Sequence, residues 1–139
     1  MARRVRTFID SGILIQAARG TDVLSSRAIA VLDDPDRVFV TSDFVRLEVI
    51  PKPAFHGKKT EVEFYEEFFR NVVRTVRSSR TLVIEAEAEA VTSGLSAVDA
   101  LHIAAAKRAG CEEFITTESS TKPMFRVSGI KVISVLPKI

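Results

Sequence analysis

The sequence contains a single cysteine, Cys111, so no intramolecular disulfide can form. That fits a reducing, cytoplasmic setting. No apolar run approaches the roughly 20 residues that a bilayer-spanning helix needs, so no membrane association is expected. The basic start MARRVRT is not followed by an uninterrupted apolar stretch or a small-residue cleavage site, which argues against a secretory signal. Neither a Gly-rich phosphate loop nor a G-x-G-x-x-G fingerprint occurs, and this leaves a nucleotide-binding fold without support. No D-x-D follows the first apolar run and no acidic pair precedes Asp10, which weakens a receiver-type or phosphoryl-transfer reading. Nitrogen and sulfur ligands are scarce too. His56, His102 and Cys111 show none of the paired spacing of a tetrahedral zinc site.

What is present suits one α/β domain spanning 1–139, with no repeat, linker or low-complexity tract. The chain is 46% hydrophobic and 27% charged, a balance typical of globular proteins. Its net charge of +2 permits a polyanionic partner. Five segments rich in β-branched and aromatic residues read as strands: 5–9, 37–41, 81–85, 113–117 and 131–135. Helical periodicity fills the gaps between them. Asp22 caps a helix with Val23, Leu24, Ala28, Val31 and Leu32 on one stripe. A helix over 44–50 should end before Pro51 and Pro53. Tyr65, Phe68, Phe69, Val72, Val73 and Val76 predict a long helix over 59–77. Two more are expected, over 86–93 and from the Ser96 cap to Ala109, with Gly110 just past the end. Such alternation implies a three-layer α/β/α fold around a parallel sheet of four to five strands.

Four carboxylates then acquire a common address. In open parallel sheets the ligand crevice lies beyond the carboxyl ends of the strands. Asp10 follows the first strand and Glu118 the fourth. Asp99 falls in the first turn of its helix, where the macrodipole favours an anion, and Glu48 lies in the helix after the second strand. Acids beside apolar runs cost several kcal/mol, by order of magnitude, unless they are paired, neutralised or bound to a cation. Oxygen ligands of this kind suit Mg²⁺ or Mn²⁺, and the chemistry they support is hydrolysis of a phosphodiester. Singly, Asp10 or Asp99 could equally be a helix cap, and Glu48 or Glu118 a solvated surface acid.

In these residues the sequence resembles the PIN-domain family of ribonucleases, and within it the small single-domain VapC-type toxins. The resemblance covers nearly the whole chain through FIDSGILI, TSDFVRLEVI, the D-A-L-H-I-A-A-A run from Asp99, and Thr116-Thr117-Glu118. It implies that Asp10, Glu48 and Asp99 are the core metal ligands, with Glu118 a fourth acid often acting through water. It also implies Mg²⁺ or Mn²⁺ as cofactor and RNA as substrate, together with a small antitoxin partner and a homodimer. Ser11 would stand beside the metal, and Thr116 would shape the same rim. Two positions depart from the family pattern. Gly12 replaces a common Asn or Ser, removing a polar side chain near the site, and Glu118 replaces a usual Asp.

Two basic clusters could meet RNA. Lys52, His56, Lys58 and Lys59 lie in a proline-containing loop near Glu48, and Lys52, Lys58 and Lys59 are the substrate-contact candidates. Arg70, Arg74, Arg77 and Arg80 recur at helical spacing, but glutamates at the start of the same helix, with Glu66–Arg70 an i, i+4 pair, offer a purely structural explanation. The aromatic residues do not interleave with these cations and read as core. His102, three residues after Asp99, is either packed or hydrogen-bonded to it.

Overall fold

The structure, a computed structural model, describes residues 3–137. Five strands form one all-parallel sheet: β1 (Val5–Ile9), β2 (Arg37–Ser42), β3 (Arg74–Val76), β4 (Glu113–Thr116) and β5 (Lys131–Ser134). Their order across the sheet is β3-β2-β1-β4-β5. Helices complete the α/β layers: α1 (Ser11–Arg19), α2 (Val23–Leu32), α3 (Asp43–Val49), α4 (Pro51–Phe55), α5 (Lys59–Asn71), α6 (Arg80–Ser93) and α7 (Ala97–Arg108). A 3₁₀ turn, Pro123–Arg126, precedes β5.

Successive residues of a strand face opposite sides, and Thr7, Phe8 and Ile9 of β1 are all fully buried, so both faces of the sheet are covered. Phe8 stands in register with Phe114, and their rings stack at 5.4 Å. Burying one such side chain contributes roughly 1.5–3 kcal/mol. Ile13 and Leu14 of α1, Tyr65 of α5 and Ile103 of α7 close the core around this pair.

Four of the five expected strands are present, and the exception is instructive. Residues 81–85 belong to α6, because the Ser79 hydroxyl accepts from Leu82 N–H at 3.1 Å and opens a helix there. Val83 and Ile84 face outward, while Leu82 and Ala86, four residues apart, are buried. The helix expected over 86–93 therefore begins earlier, at Arg80. The missing strand is the three-residue β3. The long helix expected over 59–77 stops at Asn71, Val72 turns extended, and Val73 N–H donates to Phe39 O, drawing the chain onto the sheet edge. Val73 and Val76 thus lie beyond the helix. Helix α3 ends at Val49, before Pro51 as expected, and a new helix, α4, then opens with Pro51 in its first turn, where its missing N–H costs nothing. Helix α1 was not expected.

Candidate metal centre

The strand order reverses direction at β1, whose neighbours are β2 on one side and β4 on the other. The crevice of an open parallel sheet forms at such a switch, beyond the carboxyl ends of its strands. Asp10 occupies this point: its N–H donates to Ile115 O of β4 at 3.0 Å, and the residue is buried. It also caps α1, with Oδ1 accepting from Ser11 N–H at 2.8 Å, while Oδ2 accepts from the Thr116 hydroxyl at 2.8 Å. Both oxygens are therefore oriented by fixed donors. Burial pushes the Asp10 carboxyl above its ordinary pKa; the nearby His102 and the Thr116 and Ser11 hydrogen bonds oppose that rise, and the negative charge of Asp99 adds to it.

Glu48 reaches the same place from α3. Its Oε1 lies 2.6 Å from His102 Nε2, and His102 Nε2 is 3.9 Å from Asp10 Oδ1. Burial works against ionisation of Glu48, but the His102 hydrogen bond and charge, with a smaller contribution from the Ser11 hydroxyl, hold its pKa below the ordinary carboxylate value. A carboxylate can only accept, so the shared proton rests on Nε2. His102 is itself buried, and its other ring nitrogen, Nδ1, has no hydrogen-bond partner. Its ring packs on Phe8 at a centroid distance of 5.9 Å. One ligand atom each from Asp10, Glu48 and His102 fall within 4.8 Å of one another.

The expected residues are thus gathered unequally. Asp10 and Glu48 share one cluster, with Ser11 and Thr116 holding Asp10 in place. Asp99, half-buried in the first turn of α7, is near enough for its charge to act on Asp10. Glu118 follows β4 with an exposed side chain that forms no hydrogen bond or ion pair among the described residues; its backbone N–H donates to Thr116 Oγ1 at 3.1 Å. His102 is packed in the core as one of its two expected readings had it, and its hydrogen bond goes to Glu48 rather than to Asp99. The i, i+3 spacing gave its helix face, but the partner comes from 54 residues earlier in the chain.

Gly12 also has a geometric reason. A Cβ there would stand 2.3 Å from Thr117 Oγ1, so a threonine hydroxyl already fills the space where a side chain at position 12 would begin. Lys52, Lys58 and Lys59 lie outside this cluster, exposed around α4 and the start of α5. The arginine stripe does not exist as one helix face: Arg70 is on α5, Arg74 on β3 and Arg80 on α6, with Arg77 between the last two. Glu66 pairs with Arg46 at 2.5 Å, not with Arg70, which bonds Glu67 at 2.7 Å.

The donor set fits a hard or borderline divalent cation. It offers two carboxylates held from different elements, a third acid acting on Asp10, and an imidazole whose edge is shared with Glu48.

The PIN domain family model matches residues 7–121, and the chain belongs to this family. Similar folds include a toxin–antitoxin complex from Klebsiella pneumoniae, at 20% identity and a TM-score of 0.69, covering 94% of this chain and 98% of that one. VapBC2 from Rickettsia felis, bound to a DNA fragment from its promoter, has 12% identity, a TM-score of 0.69 and the same coverage of 94% and 98%. VapC20 from Mycobacterium tuberculosis, a toxin that cleaves the sarcin–ricin loop, has 21% identity and a TM-score of 0.62, covering 78% of this chain and 86% of that one. No functionally curated protein matches the chain in sequence. Among the described residues, no helix is long and apolar enough to cross a membrane.

Proposed function

We propose that the chain is a divalent-metal-dependent endoribonuclease of the toxin type, hydrolysing RNA phosphodiester bonds. The observation that carries this reading is the buried Asp10 carboxylate, set at the sheet's switch point within 4.8 Å of Glu48 and His102 ligand atoms. Asp10, Glu48 and Asp99 would hold Mg²⁺ or Mn²⁺, with Glu118 entering from the loop after β4. When bound, the cation supplies Lewis acidity and an activated water for in-line displacement at phosphorus. The residues of the chain supply placement. Thr116 and Ser11 fix the two Asp10 oxygens, and His102 keeps Glu48 ionised and turned towards Asp10. Exposed lysines at positions 52, 58 and 59 would draw in the phosphate backbone. Resemblance to toxin–antitoxin structures supports an antitoxin partner, and a homodimer is proposed from the sequence resemblance to the small toxins alone.

Purified protein is expected to cleave RNA with Mg²⁺ or Mn²⁺ and to stop with EDTA. The double variant Asp10→Asn/Asp99→Asn is expected to lose at least about a hundredfold in rate, since metal-centred charge stabilisation is worth several kcal/mol. Full activity in that variant would sink the reading. A non-catalytic module that binds RNA or protein is the second reading, favoured by the exposed, uncontacted Glu118 side chain. RNA affinity without any divalent-metal binding would select it.

A further inference from the structure

We infer that Phe55 and His56, with the lysines around them, form a stacking platform for an unpaired base of single-stranded RNA. This rests on the ribonuclease reading above and names where its substrate is gripped. Phe55 closes α4 with 85% of its surface exposed, the most exposed of the large apolar residues described. The His56 ring stands nearly perpendicular to it, 5.0 Å away at 81°, and the high exposure of Phe55 leaves ring surface open beside it. The aromatic residues were expected to be core and not to interleave with the cations. Phe55 contradicts that, since it lies between Lys52 and Lys58.

The charges around it are placed against local stability. Lys58 sits at the N-cap of α5 with no side-chain cap, and Lys59 follows it. Cations at the positive end of a helix dipole are unfavourable, and a lysine cannot accept from the free N–H groups there. Violations of this kind collect at functional positions. Lys52, Lys58 and Lys59 form no ion pair among the described residues. Lys52, His56 and Lys58 line a small cleft together with Arg19 and Pro53, and its one acid, Glu61, is engaged by the Tyr65 hydroxyl at 2.7 Å and by Arg19 at 3.8 Å. The surface thus joins an uncovered aromatic face to uncompensated positive charge, which is the chemistry of single-strand recognition.

The platform also lies within reach of the acids. Phe55 follows Glu48 by seven residues through α3 and α4, about 10 Å at helical rise. Arg19, which lines the same cleft as Lys52, His56 and Lys58, stands at the far end of α1 from Asp10, about 14 Å away at helical rise, a span of a few nucleotides.

The test is fluorescence anisotropy of a labelled single-stranded oligoribonucleotide, with EDTA present to prevent cleavage. Phe55→Ala is expected to weaken binding about tenfold, within the range measured for loss of one stacked base. Phe55→Trp should keep the affinity, and its emission should be quenched as RNA binds, since the chain contains no other tryptophan. The double variant Lys58→Ala/Lys59→Ala should reduce the salt slope, by roughly 0.7 for each phosphate that is no longer neutralised. Wild-type affinity in Phe55→Ala, or unchanged emission from Phe55→Trp at saturation, would overturn the inference. So would unchanged affinity in Phe55→Ala with a smaller mass in solution, which would mark a protein-docking face. If the wild type neither binds nor cleaves RNA, the ribonuclease reading falls with it; if it cleaves RNA and Phe55→Ala binds equally well, only the platform falls.

Discussion

The two ends of the parallel sheet treat charge in opposite ways. At the amino end, Arg37 is held by Asp34 at 3.0 Å, by the Thr7 hydroxyl at 3.2 Å and by Glu113 across β1. Glu112 nearby pairs with Arg3 and accepts from Arg6 N–H. At the carboxyl end, Asp10 and Glu48 gather, with Asp99 near enough to act on Asp10, and no arginine or lysine pairs with any of the three among the described residues; hydroxyls, a backbone N–H and one histidine are the company of Asp10 and Glu48. The amino end neutralises its charges to hold strands in place. The carboxyl end keeps acids oriented but not neutralised, which lowers stability and is the arrangement that a cation-binding site requires.

The contrast can be strained first at His102. Replacing it with alanine should lower divalent-metal affinity about ten- to hundredfold, the usual cost of losing an oriented partner around a metal site, and His102→Gln should restore part of it by returning a donor to Glu48. Calorimetry on both variants checks this; equal affinity in wild type and His102→Ala would remove His102 from the site.

The amino end should respond in stability instead. Arg37→Ala leaves Glu113 and Asp34 unpaired in partly buried positions, with an expected loss of about 1–2 kcal/mol, between the values for exposed and buried pairs. Urea denaturation measures it, and metal affinity should stay unchanged.

The smallest effect has the opposite sign. Burial raises the pKa of Asp10, so the folded chain holds that proton more tightly than the unfolded chain does. The penalty for an ionised Asp10 is therefore full above the folded pKa and disappears as pH falls through it towards the ordinary carboxylate value. Asp10→Asn, which still caps α1, should stabilise the metal-free protein at pH 7 by about 1 kcal/mol, a few degrees in Tm. That gain should shrink on acidification. A constant or negative shift across pH 4–7 would show that burial does not govern this carboxylate.

The same contrast explains what the sequence revealed. β1, β2 and β4 were legible because buried parallel strands concentrate β-branched and aromatic residues, and the edge strand β5 because Val132 and Ile133 carry the same signal. β3 was not, since its three residues include exposed Arg74 and Thr75 and are held mainly by register with β2. Residues 81–85 misled because Thr, Val and Ile suit strands, whereas a serine cap and the spacing of Leu82 and Ala86 decided for helix. Helix α1 had a signal in Asp10 followed by Ile13, Leu14, Ala17 and Ala18, but Gly12 in its first turn and the strand that runs directly into it blur where it begins. Asp10 and Glu48 were legible as a pair because the end of β1 and the helix that follows β2 meet at the same edge of a parallel sheet. The Glu48–His102 bond was not, because no local spacing encodes a contact across 54 residues.

The most direct test of the central claim, that the carboxyl end of the sheet is built to hold a divalent cation, is calorimetric titration of Mn²⁺ into the metal-free chain and into Asp10→Asn. Saturable binding to the wild type that is lost in the folded variant is the predicted result. No binding to the wild type, or the same binding to both, would contradict it.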